Sequence, residues 1–179
     1  MFHSSATGRR RNQTLPDAPG PRQVILSPVN GDDHGITAAP QVIVRSGKDP
    51  AVRVLLHDRQ LIDEDQTAFA VSLQASGLAA HFRDVIVGIW QPEDLPGFID
   101  GLAADFRGWS GCRSWTTNHL KIAATFHSRG HVELRWTLLP SDSRQDSWEA
   151  SVTTWLEAGQ QMTGLAADVR AFLTRPQPF

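Results

Sequence analysis

Histidine changes charge near neutral pH and is the commonest metal ligand. His127 and His131 flank Ser128-Arg129-Gly130, a hairpin-turn composition, so they should stand side by side on one polar face. Two imidazoles at that spacing suit a metal. A zinc site, however, needs a third protein ligand, and Glu133 falls on the same face one step away. The reading is a pair of exposed turn histidines without a metal. Asp63, Glu64 and Asp65 bring three acids together, but the run lacks the central glycine and the closing bidentate glutamate of a calcium loop. It reads as a solvated loop. His57 and His81 fall in strand candidates and read as structural residues. Cys112 is the only cysteine, and only Arg113 beside it favours a thiolate, so it is a poor nucleophile. Asp105 and Asp168 occupy matching places in two helical segments, each with an arginine two positions on, and fit solvated helix faces. There is no phosphate-binding glycine loop, no G-x-S-x-G elbow and no H-E-x-x-H motif. The expected catalytic, metal and cofactor sites are none.

The elements that would position these residues follow from hydrophobic period. Val42–Arg45 and Val52–His57 are short strand candidates. Phe69, Val71 and Leu73 alternate with Ala70, Ser72 and Gln74, Ser76-Gly77 turns the chain, and Leu78, Ala80 and Phe82 return. The phase then switches to Val85, Val87 and Ile89. An unbroken strand would turn these residues away from the core, so a bulge is expected near Arg83-Asp84. Asp94 is the expected N-cap of a helix with Pro96 in its first turn, Leu95, Phe98, Ile99, Leu102 and Phe106 on one face, and Gly108 past its end. Trp109 should fold back over that helix end.

Cys112–Thr117 is a short strand or arm. In the hairpin that follows, pairing His127 with His131 also pairs Phe126 with Val132, Ala124 with Leu134, Ile122 with Trp136 and Leu120 with Leu138. All four pairs are apolar, so the register is self-consistent. Another strand runs from Trp148 to Leu156, and Gly159 leads into a helix carrying Met162, Leu165, Ala166, Val169, Phe172 and Leu173. The polar side of this sheet carries Lys121, Glu133, Arg135, Thr137, Ser151, Thr153 and Trp155. It is the surface expected to meet a partner protein; an ordinary solvated face is the competing reading.

Hairpin connections with helices after strands predict an α+β fold: one antiparallel sheet with two amphipathic helices on one face. Gly101–Arg107 match Gly164–Arg170 at six of seven positions, at an offset of 63 that also aligns Phe69, Val71 and Leu73 with Val132, Leu134 and Trp136. Two related strand-plus-helix halves and a chance likeness between alanine-rich helices both fit. The 179 residues are enough for one domain, expected over 41–175, after a disordered tail over 1–40 rich in proline and ahead of a short tail over 176–179. A net charge of −2 gives no basic footprint for nucleic acid, and no apolar run approaches the length of a membrane span. One cysteine and no secretion signal point to the cytoplasm.

The blocks Val42-Ile43-Val44-Arg45-Ser46-Gly47, Asp105-Phe106-Arg107-Gly108-Trp109, Gly130-His131-Val132 with Trp136-Thr137-Leu138, and Trp148 through Gly159 resemble an actinobacterial family, domain of unknown function 6228. The resemblance covers about residues 42 to 173 and implies no activity, cofactor or site residue. The expected function is a small, non-catalytic binding protein of the cytoplasm engaging another protein, with an immunity-type protein that neutralises a toxin as one specific form, by analogy alone. The alternative is a small-molecule-binding domain or enzyme with a pocket between sheet and helices.

Overall fold

The computed structural model describes residues 40–88, 94–139 and 148–174, all within one compact unit, Thr37–Phe179. Pro40 excepted, the expected tails over 1–40 and 176–179 lie outside the described residues, as do Ile89 of the expected strand and positions 140–147. The order is four strands and a helix, twice: β1 (Val42–Arg45), β2 (Arg53–Leu61), β3 (Gln66–Ala75), β4 (Leu78–Gly88), α1 (Leu95–Ala104), β5 (Cys112–Thr116), β6 (Leu120–His127), β7 (His131–Leu138), β8 (Ala150–Glu157) and α2 (Gln160–Leu173). The strand pairs α+β reasoning expects are all antiparallel, but the expected single sheet is two: β1-β2-β3-β4 and β5-β6-β7-β8. Hairpin register is local, whereas the helix between β4 and β5 lets the chain start a second sheet.

The two sheets share one core. Val54, Leu56, Val71, Leu73 and Val85 from the first meet Ile122, Leu134, Trp136 and Leu138 from the second, together with Ile99 and Leu102 of α1 and Met162, Val169 and Phe172 of α2. The helices pack on each other, and α2 also meets β1 and β8. An Arg170–Asp100 ion pair bridges the helices at the surface. The sheets touch along both outer edges. The Gly47 N–H donates to the Trp155 carbonyl at 2.8 Å, linking the end of β1 to β8. The Thr117 hydroxyl donates to the Ile86 carbonyl at 2.8 Å, where Phe82 lies over His119 at 4.3 Å between ring centroids.

The bulge expected from the phase switch is present. Phe69 pairs with Val85 and Val71 with Phe82, so Ala70 alone faces Arg83 and Asp84. Asp84 absorbs the extra residue at φ 61°, in the left-handed region that aspartate tolerates better than most side chains. A second, unexpected bulge lies on the other side of β3: His57 pairs with Ala70 and Gln60 with Ala68, and Asp58 has φ 52°. The β6–β7 register is the expected one, from Leu120 with Leu138 to His127 with His131.

Asp94 caps α1, its carboxylate accepting from the Gly97 N–H at 2.7 Å, with Pro96 in the first turn. The helix stops at Ala104, earlier than its apolar pattern implies, so Phe106 lies beyond it and is 55% exposed. Gly108, at φ 106°, turns the chain against Phe126; a Cβ there would lie 2.7 Å from that ring. Trp109 then packs at a tilt against Phe126, with ring centroids 5.4 Å apart. β8 begins at Ala150, and Trp148, expected within it, is 45% exposed. At the other end of α2, the Arg59 guanidinium donates to the carbonyls of Phe172 and Thr174 at 2.6 and 2.5 Å, placing positive charge at the helix C-terminus.

Candidate functional site

On the outer face of the second sheet, alternation and register set residues in rows. Lys121, Thr137 and Ser151 form one row across β6, β7 and β8; Ala123, Arg135 and Thr153 the next; Thr125, Glu133 and Trp155 the third; His127, His131 and Glu157 the last. The residues expected on the interaction face therefore do share it. Lys121 and Arg135 are exposed, and Glu133, Thr153 and Trp155 are half-buried. Thr137, expected to be accessible, is only 6% exposed and offers a partner little.

Trp155 is held from several sides. The Ser46 hydroxyl accepts from its backbone N–H at 3.2 Å, and Gly47 donates to its carbonyl. A Cβ at Gly47 would sit 3.2 Å from that carbonyl oxygen, so this turn comes close because the residue is glycine. The turn carries Lys48 onto the indole, its ammonium 2.8 Å from the ring centroid. His127 packs beside the same indole at 4.8 Å, and its Nε2 lies 2.7 Å from a Glu133 carboxylate oxygen. The turn histidines are thus half-buried rather than exposed, and His127 is paired with Glu133. Among the described residues, no group of three or more His, Cys, Asp or Glu side chains is placed to hold a metal ion.

A second cluster, on the outer face of the first sheet, joins residues from three different strands. Ser72 of β3 lies between two histidines, with His57 Nε2 at 3.0 Å and His81 Nδ1 at 2.9 Å from its Oγ. His57 Nδ1 is 2.9 Å from an Asp58 carboxylate oxygen. The imidazoles stack with centroids 5.5 Å apart. Half of this was legible: the Ser76-Gly77 turn pairs Ala75 with Leu78 and so, three steps on, Ser72 with His81. The other half depends on the bulge that follows His57, which has no sequence signature.

A cleft of about 990 Å³ opens between the end of β4, the start of α1 and β5, lined by Phe98, Trp115, Asp94 and Arg113 among others. Its charged groups are engaged elsewhere: Asp94 caps α1, and Arg113 pairs with Asp105 at 2.6 Å and lies over Trp109 at 4.9 Å. Asp105 pairs with Arg113, and Asp168 is exposed on α2. Cys112 is exposed, its sulfur directed to the Arg113 carbonyl at 3.6 Å. The acidic run is the exposed tip of the β2–β3 hairpin, closed by the Asp65 N–H donating to Asp63 at 2.8 Å. Among the described residues no helix is long and apolar enough to cross a membrane.

The family whose sequence pattern matches the chain, over residues 45–176, is DUF6228, a family of unknown function. No curated protein and no solved structure matches it.

Proposed function

The chain belongs to DUF6228, which brings no activity with it, and on the geometry we propose that it is a protein-binding module whose partner docks on the outer face of β5–β8. The observation that carries this reading is the charge pattern of that face. Lys121 and Arg135 are exposed and have no ion-pair partner among the described residues, while Glu133 is occupied by His127 and the exposed Glu157 stands in the end row, two rows from Arg135. Lys48 adds a third cation over Trp155. An acidic protein surface complements such a face, with Trp155 and the stem of Lys48 supplying apolar contact at its centre. A toxin neutralised by the chain is one specific form of such a partner, and a cytoplasmic setting fits it. Thr137 drops out of the contact set. The face leaves room for binding without chemistry, and the cleft beside α1 is the place for a small-molecule ligand should the partner be one.

The test is affinity capture with the full chain and its variants. A stoichiometric acidic protein should be retained by the native chain, lost with Arg135→Glu, and retained with Arg53→Glu, a charge reversal on the outer face of the other sheet. Equal capture by all three chains would refute this docking surface. A co-purified small molecule in place of a protein would move the function to the cleft.

A further inference from the structure

The hydrogen-bond chain on the outer face of the first sheet has a direction. A carboxylate can only accept, so neutral His57 facing Asp58 carries its proton on Nδ1. Its Nε2 is then a bare lone pair and accepts from the Ser72 hydroxyl at 3.0 Å. The oxygen of Ser72 in turn accepts from His81 Nδ1–H at 2.9 Å. A hydroxyl bonded to a base, with the base oriented by a carboxylate on its far nitrogen, is the arrangement that activates a serine.

We propose that Ser72 is a nucleophile, with His57 as its general base, Asp58 as the residue that positions His57, and small activated esters as the substrate class. This is independent of the protein-binding reading, and it gives the chain an activity that its sequence does not lead one to expect. The two bulges build the place. The extra residue after His57 sets Asp58 beside the ring, and the extra residue in β4 sets Arg83 opposite Ala70. A hollow of about 320 Å³, lined by Asp58, Ala70, Arg59 and Arg83 among others, opens at the two bulges beyond Asp58; neither Ser72 nor His57 lines it. Arg59 is committed to the α2 carbonyls. Arg83 is exposed and without a partner among the described residues, so it is the cation available to a developing oxyanion. Strand amides, used in the sheet ladder, cannot fill that role.

In the reaction, Ser72 Oγ attacks the ester carbonyl carbon as its proton passes to His57 Nε2. The carbon–oxygen bond to the leaving group breaks, and His57 returns the proton to the departing alcohol. Water then attacks the acyl-serine, again giving a proton to His57. The carboxylic acid leaves, and the proton goes back to Ser72.

The experiment is labelling of the full chain with a fluorophosphonate, read by peptide mass spectrometry. Ser72 should gain a phosphonyl group with loss of fluoride, and Ser72→Ala should gain none at that peptide. His57→Ala should slow labelling about a hundredfold, the usual scale for loss of a general base. Asp58→Asn should slow it too while leaving the thermal unfolding midpoint in place, which a merely structural role would not do. No adduct at Ser72, or an equal labelling rate in a folded His57→Ala chain, overturns the proposal.

Discussion

Gly108 offers a quantitative test of how the first half of the chain is seated on the second. It sits at φ 106°, and a Cβ there would meet the Phe126 ring at 2.7, 2.8 and 3.1 Å. Gly108→Ala therefore carries two costs. Left-handed backbone costs a residue with a Cβ about 1–2 kcal/mol. Forcing a methyl into a filled site costs about 1–3 kcal/mol more. Gly77, at φ 76° with nothing within 4 Å of its Cβ position, isolates the first cost, so Gly77→Ala should lose only about 1–2 kcal/mol. At about 2–4 °C per kcal/mol for a chain of this size, Gly108→Ala should lower the thermal midpoint by about 4–20 °C. The assay is urea unfolding of four chains: native, Gly108→Ala, Phe126→Leu and the double variant. Removing the ring removes the clash, so the double variant should be more stable than the sum of the single changes by about 1–3 kcal/mol. Additivity within about 0.5 kcal/mol would refute the argument, and with it the placement of the α1–β5 turn against β6.

Thr154 is buried and accepts from the Trp136 indole N–H at 2.9 Å. Thr154→Val keeps the shape but strands that donor, and should cost about 1–3 kcal/mol in urea unfolding. Arg59→Ala uncovers the last carbonyls of α2 and should cost about 1–2 kcal/mol, with faster amide exchange confined to the final turn of that helix. Arg170→Ala, which removes an exposed pair with Asp100, should cost under about 1 kcal/mol in the same assay. Arg135→Glu, at an exposed strand position, should leave the unfolding midpoint within about 0.5 kcal/mol of native, so that any loss of binding reports the face and not the fold.

Much of this architecture was legible from residue order alone, for one physical reason: alternation and turn chemistry are local. The β6–β7 register followed from four apolar pairs around Ser128-Arg129-Gly130, and it appears residue for residue. The β4 bulge followed from a phase switch after Phe82, and the α1 cap from Asp94 and Pro96. The rows of the polar face on β6–β8 followed from the same period of two, and its residues do lie together. Only the tertiary structure decided what is non-local. It divided the strands of the described residues into two sheets, because pairing across α1 depends on how the core closes rather than on any short stretch. It buried Thr137 and brought Lys48, from the turn after β1, onto Trp155 more than a hundred residues away. It also set His57, Ser72 and His81 on one point: three strands had to be laid side by side, with two of them bulged, before three unremarkable polar positions became a connected chain.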